Sequence, residues 1–380
     1  MSHAKRGTFF PGTHEFPSAL REREKARAEA RGDDVIFARA IKSFDDEGVS
    51  TRLNDYNYEL PRELIAQHPL PQREDSRMMV VHRDRKKIAH AHFVDLKQFL
   101  RNDDLFILNN SRVLPARHFS DDGNFEFLFL EKTAPCRWKV LVKPSRRFGK
   151  GAATVIQGMR AEAGEILEDG SREITLSDDI DLQRCGAMPL PPYIKRSVVI
   201  DRRYREEDEA RYQTVFAKYE GSLAAATAGL HFTAQILGSL PHVFITLHVG
   251  TATFRPVKME DITQHQMHPE RFSISPDAAE AIANAKRVVA VGTTTVRVLE
   301  SVQRSFGKIQ AGEGETNIFI YPPFQFRVVD VLLTNFHLPR STLLMLISAF
   351  SDREFILRAY EEAVRERYRF FSYGDCMLIL

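Results

Sequence analysis

The sequence predicts an α/β protein, in which a strand-rich insert interrupts a main domain with a largely parallel sheet. From about residue 190 onward, apolar strand-like runs alternate with helical segments, the pattern that parallel sheets produce. Residues 114–189 hold only short strand-like runs separated by Gly, Pro, Asp and Ser, which is typical of a small β-barrel or sandwich. We therefore assign residues 51–113 and 190–380 to the α/β domain and residues 114–189 to the insert.

Composition excludes several classes of protein. The 380 residues carry 53 basic and 51 acidic side chains, and the net charge of +2 excludes histone-like and heavily acidic proteins. The chain is 43% hydrophobic with 27 Phe, so it can form a sizeable core and disorder is not expected. Its three cysteines are scattered, which argues against a disulfide scaffold or a Cys-rich zinc site. Without an apolar membrane span or secretion signal in the sequence, we expect a cytoplasmic protein.

Residues 1–50 form a charged N-terminal extension. From Ser18 onward, Ala, Arg, Glu and Lys alternate with few apolar residues, and the acids and bases almost cancel. This pattern favours a solvated helix, with a nucleic-acid-binding arm as the alternative.

The globular part begins with a short helix and a hairpin. Pro61 suits the first turn of a helix over residues 59–67. Residues 77–81 and 88–93 predict a β-hairpin, and residues 105–108 predict a buried strand that ends in the polar run 109–112.

Beyond the insert, four apolar runs predict strands: residues 243–249, 288–292, 316–321 and 328–336. Ser275 and Pro276 open a helix that continues to residue 286, and Thr293 opens another that continues to residue 306. Ser341 and Asp352 begin two further helices near the C-terminus.

The strand at residues 243–249 predicts a functional histidine. Alternation places Phe244, Thr246 and His248 on one face and an apolar set on the other. His248 then lies at the carboxyl end of the strand, where open α/β sheets bind ligands. A buried histidine with one satisfied hydrogen bond is the alternative interpretation.

His265 and His268 form a second candidate group. Two histidines spaced i, i+3 on a helix can share a metal ion, but a catalytic zinc site needs a third ligand and an open position. Since no third ligand follows at a known spacing, we expect no metal, and two surface histidines beside a polar cleft are the preferred interpretation.

The segment that opens the helix at residue 293 is suited to an anion or a nucleoside hydroxyl. A glycine turn there is followed by three hydroxyls at a helix N-terminus, among them Thr293 and Thr294, with Arg297 one turn further on. Simple helix capping is the alternative. Neither a dinucleotide-binding glycine motif nor a phosphate-binding P-loop occurs in the chain.

Polar residues also close the strand at 328–336. Alternation predicts that Asn335 and His337 share one side and that Phe336 faces the other. Asp375, in the turn after Tyr373, is a further polar candidate. No nucleophile elbow or Ser-His-Asp order supports an acyl-enzyme hydrolase.

Charge placement predicts a nucleic-acid-binding surface. Residues 137–160 contain seven Lys or Arg and no acid, whereas residues 161–181 contain eight acids. The rings of Trp138 and Phe148 could stack on a base beside these charges. A solvated basic face is the alternative. The candidate nucleic-acid contacts are Lys143, Arg146, Arg147, Lys150, Lys195 and Arg196.

Taken together, these motifs closely resemble the S-adenosylmethionine:tRNA ribosyltransferase-isomerase family. The resemblance covers the chain from about residue 54 to the C-terminus. The motifs that carry it include GSLAAATAGLHF at 221–232, TLHVGTATFRPV at 246–257, HQMHPE at 265–270, VVAVGTTTVRVLES at 288–301, LLTNFHLPRSTLLMLISAF at 332–350 and YRFFSYGDCMLIL at 368–380.

The resemblance implies a fold, a reaction and a set of partners. The fold is an α/β domain interrupted by a β-barrel. The enzyme transfers and isomerises the ribosyl group of S-adenosylmethionine onto 7-aminomethyl-7-deazaguanine at the wobble position of tRNA with a GUN anticodon. The products are epoxyqueuosine-tRNA, adenine and methionine, so S-adenosylmethionine is a consumed co-substrate and no cofactor is expected. We expect a monomer that does not associate with membranes.

Within the matching motifs, we predict roles for particular residues. The reaction needs a base that takes a proton from the amine, a base that takes one beside the sulfonium, and an acid that protonates adenine. Side chains with pKa values near neutrality suit these proton transfers. The predicted catalytic residues are His248, His265 and His268. We predict that Arg255 and Arg297 meet carboxylate or phosphate groups. The other predicted substrate-binding residues are His231, Thr293, Thr294, Asn335, His337 and Asp375.

Two other functions compete with this one. The first is a tRNA-binding homologue that has lost turnover, which is favoured by Ala252 in place of the usual glycine and by a shortened entry to the insert. The second is a His-based, metal-dependent hydrolase that acts on nucleic acid.

Overall fold

Three β-sheets, of nine, six and two strands, and a set of short helices form the protein in a computed structural model that describes residues 50–196, 202–250, 257 and 259–380. The predicted charged extension (except residue 50) and the predicted substrate-binding Arg255 lie outside the described residues.

The strands alternate with turns and helices along the whole described chain. They are β1 Arg77–His82, β2 Lys87–His92, β3 Leu105–Asn109, β4 Ser111–Val113, β5 Arg117–Phe119, β6 Glu126–Ala134, β7 Arg137–Lys143, β8 Ala153–Ile156, β9 Met159–Ile166, β10 Arg172–Leu176, β11 Tyr219–Ser222, β12 His242–Leu247, β13 Glu270–Ile274, β14 Val288–Val291, β15 Gly312–Thr316, β16 Val331–Asn335 and β17 Cys376–Ile379. The hairpin predicted at residues 77–93 and the buried strand at 105–108 are confirmed.

The larger sheet has nine strands in the order β15-β13-β12-β3-β14-β16-β17-β1-β2. Its central strands β12, β3, β14 and β16 are parallel, but β13, β15 and β2 pair antiparallel, and so does β17 with β16. The sheet as a whole is mixed, and the prediction of a largely parallel sheet holds only for the central strands and for β1, which pairs parallel with β17.

Both faces of the larger sheet are buried. Met79 and Val81 of β1 belong to the apolar core on one face, whereas Met78 and Val80 belong to the core on the other. Burial on both faces explains why the central strands are continuous apolar runs rather than alternating ones.

The helices pack around this sheet. They are α1 Arg202–Arg211, α2 Ala234–Gly238, α3 Pro276–Asn284, α4 Thr293–Phe306, α5 Thr342–Phe350 and α6 Arg353–Arg365. Ser275, Ser341 and Asp352 cap α3, α5 and α6, each by accepting a hydrogen bond from a backbone amide in the first turn. These caps confirm the predicted helix starts, and each typically contributes about 1 kcal/mol. Within the described residues, no helix is long and apolar enough to cross a membrane.

Two predicted elements are wrong. The helix expected at residues 59–67 is only a three-residue 3₁₀ turn, Arg62–Leu64. The strand expected at residues 316–321 is not formed. Instead, β15 covers Gly312–Thr316, and the apolar residues after Thr316 have no strand partner in the described structure. Pairing with β13 places the Gly- and Glu-rich segment in the sheet, so tertiary contacts override the low β-propensity of that segment.

The insert is a curled antiparallel sheet in the order β5-β6-β7-β10-β9-β8. Phe127, Phe129 and Ile174 point into its apolar core. Asp121 connects the two edges, because its amide donates to the Val155 carbonyl at 2.8 Å and its carboxylate accepts from the amides of residues 157 and 158. The strand-rich insert is therefore confirmed as one curled sheet. The domain boundaries at 113/114 and 189/190 stay predictions.

Candidate functional site

His248 follows β12 at the carboxyl edge of the parallel strands. Its amide donates to the Arg271 carbonyl at 2.9 Å, and the next two amides donate to Ser222 Oγ at 3.0 Å and to Glu270 Oε1 at 2.9 Å. Three consecutive amides are thus held by three different partners. This arrangement gives the chain at His248 a fixed position.

The His248 ring lies directly against Gly221. A Cβ added at Gly221 would lie 2.7 Å from His248 Nδ1, and the φ angle of Gly221 is +141°, so only glycine fits there. His248 is half-buried, and its Nδ1 has no hydrogen-bond partner among the described residues. Burial and the charge of Arg271 lower the pKa of His248, so its ring is uncharged at neutral pH.

His265 and His268 lie in the irregular segment that enters β13, next to the end of β12. His265 is half-buried, with its ring edge-on to Phe319 at 5.3 Å between centroids, whereas His268 is exposed. Burial and the neighbouring His268 lower the pKa of His265. Because the segment is not helical, the i, i+3 helical spacing considered for a metal does not form. The described part of the chain contains no group of three or more His, Cys, Asp or Glu that could hold a metal ion.

A buried ion pair lies beside His248. Arg297 of α4 donates through Nη1 to Glu270 Oε2, while Glu270 Oε1 accepts from the Gly250 amide. Both side chains are buried, and Arg297 Nη2 has no hydrogen-bond partner in the described structure. Arg297 was predicted to meet a substrate carboxylate or phosphate. In the structure its partner is the carboxylate of Glu270, so Arg297 connects α4 to the end of β12.

The hydroxyls at the start of α4 do not cap the helix. Gly292 occupies the N-cap position with φ +88° and provides no side-chain hydrogen bond. Thr295 donates back to the Val291 carbonyl at 2.9 Å, and Thr294 Oγ1 is buried without a hydrogen-bond partner in the residues described. Thr293 is buried beside it. These hydroxyls do not cap the helix, so the alternative interpretation of simple helix capping is wrong.

A second polar cluster surrounds His231. Its Nδ1 is 2.8 Å from Ser76 Oγ and its Nε2 is 3.1 Å from Asn335 Nδ2. Because an amide nitrogen can only donate, Nε2 accepts and Nδ1 carries the proton. Burial, with the charges of Arg73 and Arg369, lowers the pKa of His231 to about 3. His231 is therefore a buried, neutral residue that joins Ser76 to β16.

Asp375 and His337 are enclosed by the protein. The Asp375 carboxylate accepts from the amides of Arg77 at 3.0 Å and Arg369 at 2.8 Å, and burial raises its pKa. His337 is buried, its Nε2 is 2.9 Å from Thr334 Oγ1, and burial lowers its pKa to about 3. Both residues therefore hold backbone or core in place rather than face a cleft.

The predicted alternation at residues 335–337 is wrong. Asn335 contacts His231 on one side of β16, whereas the His337 ring contacts Thr334, which points to the other side. The reason is that β16 ends at Asn335, so strand geometry does not extend to His337.

The insert folds its acidic segment back onto its basic one. Four basic residues of the acid-free stretch are neutralised by ion pairs across or along the sheet: Arg137–Glu173, Lys139–Asp169, Lys150–Glu165 and Arg160–Glu162. Lys143, Arg146 and Arg147 are exposed and form no ion pair within the described ranges. These three residues, at the end of β7 and in the following turn, form a compact positive surface, here called the basic corner.

Three other residues predicted to contact nucleic acid are not available for that contact: Phe148, Trp138 and Arg196. Phe148 is fully buried in the core of the insert, and Trp138 packs edge-on against Phe129, so neither presents an open ring to a base. Arg196 is also buried, with Nε and Nη2 each donating to Asp208 at 2.8 Å. A guanidinium held in this way is not available to a phosphate. Lys195 is exposed.

A family model described as queuosine biosynthesis protein matches residues 53–379. The chain belongs to this family. The match includes every site residue described above, and it leaves out residues 1–52, which contain the charged extension.

Named relatives agree with this family. An S-adenosylmethionine:tRNA ribosyltransferase-isomerase from Desulforamulus reducens is 46% identical over 87% of this chain and all of its own length. One from Natranaerobius thermophilus is 46% identical over 86% of this chain and 99% of its own length. The crystal structure of an S-adenosylmethionine tRNA ribosyltransferase from Thermotoga maritima is 36% identical, covers 86% of this chain and all of that chain, and has a TM-score of 0.49. The family model and the two named relatives from Desulforamulus reducens and Natranaerobius thermophilus confirm the resemblance found in the motifs.

Two site residues of this family member were missed from sequence. Glu270 lies within the quoted HQMHPE motif and begins β13, but nothing in the motif shows that it pairs with Arg297. Gly221 opens the motif GSLAAATAGLHF, but nothing in that motif shows that a histidine ring from residue 248 packs on it.

Proposed function

We propose that the protein transfers and isomerises the ribosyl group of S-adenosylmethionine onto 7-aminomethyl-7-deazaguanine at the wobble position of tRNA. The products are epoxyqueuosine-tRNA, adenine and methionine. The observation that carries this proposal is the 46% identity to S-adenosylmethionine:tRNA ribosyltransferase-isomerases over their whole length. The GUN anticodon, the monomeric state and the lack of a cofactor follow from the resemblance and stay predictions.

His248 is the preferred general base. The exocyclic amine of the deazaguanine must lose a proton to attack, and a base must be uncharged to accept one. The lowered pKa of His248 keeps its ring uncharged at neutral pH, and because Nδ1 is buried against Gly221, Nε2 is the nitrogen left for the substrate. The three held amides at residues 248–250 fix the backbone at His248, and the contact with Gly221 limits where the ring can lie, which supports a catalytic role.

His265 and His268 are proposed as the other proton-transfer groups. Both lie in the segment that enters β13 beside the end of β12, so they approach the same edge of the sheet as His248. Adenine leaves more easily when it is protonated. A second histidine can therefore act as the general acid that protonates adenine, while His248 acts as the base.

The start of α4 is proposed to bind the nucleoside or an anionic group of the substrate. Thr294 Oγ1 has no hydrogen-bond partner in the described structure, and the N-terminal end of a helix attracts negative charge. Arg297 serves this region indirectly, because its ion pair with Glu270 ties α4 to the end of β12.

The basic corner is proposed to contact the tRNA backbone. Its three residues form no ion pair with a carboxylate of the described chain, so a tRNA phosphate can pair with them. Lys150 and Arg196 are the weaker candidates, since each has a carboxylate partner already.

The proposed function is tested by incubating the protein with S-adenosylmethionine and an anticodon stem-loop that carries the deazaguanine base. Adenine release together with a heavier RNA supports it, and a stem-loop with ordinary guanine is the control. RNA binding without adenine release would favour the homologue that has lost turnover. Cleavage of the RNA chain would favour the hydrolase.

A further inference from the structure

A cleft beside His231 is built from segments that are distant in sequence. It lies between the segment around Arg73 and Ser76, the end of α1 at Arg211, His231 itself, and the turn that contains Gly374. His231 and Ser76, which hydrogen-bond to each other, form part of its wall. Arg369 lies close enough for its charge to act on His231.

Two arginines line this cleft, Arg73 and Arg211, and a third, Arg369, acts on His231 by its charge; the side-chain hydrogen bonds of all three go to backbone carbonyls. Arg73 donates to three carbonyls at 2.9–3.1 Å, Arg211 to two at 2.9 Å, and Arg369 to the carbonyl of His68. Within the ranges that the structure describes, none of the three forms an ion pair with a carboxylate. A carbonyl orients a guanidinium but leaves its positive charge in place.

The nearest carboxylates offset only part of this positive charge. Asp375, which accepts from two backbone amides, acts with its negative charge on Arg369, and Glu74 does so on Arg73. Asp208 is already paired with Arg196. Three guanidinium groups thus meet two carboxylates, which leaves the cleft with an excess positive charge.

Two further observations agree with that excess. Burial is the main cause of the lowered pKa values of His231 and Arg73, and the charges of Arg73 and Arg369 on His231 and of Arg211 on Arg73 act in the same direction. Arg211 Nε and Arg369 Nη1 are buried and have no hydrogen-bond partner in the described part of the chain. Such donors lose free energy unless an acceptor reaches them.

We propose that this cleft binds an oxyanion, held by Arg73 and Arg211, with the charge of Arg369 beside them. The identity of the oxyanion rests on the proposed function, which offers two sources: the carboxylate of S-adenosylmethionine and a backbone phosphate of the tRNA. Arginine suits both, because its planar fork matches carboxylate and phosphate oxygens.

The unaltered protein tests the cleft without any catalysis. Titration with inorganic phosphate, and separately with methionine, is expected to shift the NMR resonances of the His231 ring as negative charge enters the cleft. If neither compound moves these resonances, the proposal is overturned. A wild-type protein that binds the anion but fails to modify RNA would contradict the proposed function and leave the cleft intact.

Variants then identify the source. Arg211→Gln removes one charge, and Arg369→Gln is the second variant in case the first does not fold. Arg83→Gln is the matched control, because Arg83 also donates to two backbone carbonyls, of Phe350 and Asp330, but outside the cleft. Loss of a charge-assisted hydrogen bond is expected to weaken binding by about 10- to 100-fold.

The two sources give different results. If the carboxylate binds, Arg211→Gln weakens S-adenosylmethionine binding but leaves binding of 5′-methylthioadenosine, which lacks that carboxylate, unchanged. If a phosphate binds, the variant weakens stem-loop binding and lowers the slope against salt by about one, with S-adenosylmethionine unaffected. Folded variants that bind both substrates as the Arg83→Gln control does would refute the proposal.

Discussion

Replacing Gly221 by alanine is expected to displace the His248 ring and slow catalysis. The new methyl group would lie 2.7 Å from Nδ1 and 2.9 Å from Cε1. Since ordinary contacts begin near about 3.5 Å, the ring must move by about 0.8 Å. Catalytic groups need placement to about 0.5 Å, and a 1 Å error can cost about 100-fold. We expect kcat to fall by about 10- to 100-fold.

The same substitution also strains the backbone, and a second glycine separates the two effects. Gly221 has φ +141°, where a non-glycine residue costs about 1–3 kcal/mol. Gly312 has φ +152° and no atom within 4 Å of an added Cβ, so Gly312→Ala introduces strain without a clash. Adenine release measures kcat, and urea denaturation measures the free energy of unfolding. If both variants lose similar stability and both keep full kcat, the assignment of His248 as a precisely placed base is wrong.

Four further predictions follow from particular contacts. Arg146→Ala with Arg147→Ala should lower the slope of tRNA affinity against salt by about two, because two phosphate contacts are lost. The acidic limb of the pH dependence of kcat/KM should lie below pH 6.5, because His248 must be uncharged and its pKa is lowered. Glu270→Gln should destabilise the protein by about 3–5 kcal/mol in urea denaturation, since it leaves a buried guanidinium unpaired. Stability should fall from pH 6.5 toward pH 3, because the uncharged His231 of the folded state must resist protonation that the unfolded chain accepts.

Each of the four predictions has a control variant or a result that would contradict it. Arg137→Ala with Lys139→Ala removes two paired charges and should change the salt slope less. An acidic limb that persists in His248→Asn would assign it to another group. Glu165→Gln breaks an exposed pair and should cost less than about 1 kcal/mol. If His231→Asn leaves the acid-dependent loss of stability unchanged, His231 is not its source.

Local patterns in the sequence were sufficient for helices α3 to α6 and for the central strands, but not for α1 and α2. The starts of α3, α5 and α6 follow from Ser275, Ser341 and Asp352, because capping depends on residues within one turn. The position of β15 could not be predicted in this way. Its Gly- and Glu-rich sequence has low β-propensity, and pairing with β13 decides its structure.

Partners distant in sequence account for most of the errors at the site. His248 was placed correctly at the end of a strand because strand alternation is local. The ion pairs Arg297–Glu270 and Arg196–Asp208 could not be predicted, because they form only when separate segments of the chain meet in the fold. The basic stretch of the insert appeared unopposed for the same reason, since its acidic partners follow it in sequence and meet it only in the folded sheet.

The most direct test of the central claim is transfer of the ribosyl group itself. The protein is incubated with S-adenosylmethionine that carries ¹³C throughout the ribose and with the deazaguanine-containing stem-loop, and the RNA is digested and analysed by mass spectrometry. The account predicts a modified nucleoside that retains every labelled ribose carbon, with unlabelled adenine released in equal amount. Adenine release without label in the RNA, or label in the RNA with His248→Asn as active as the wild type, would contradict it.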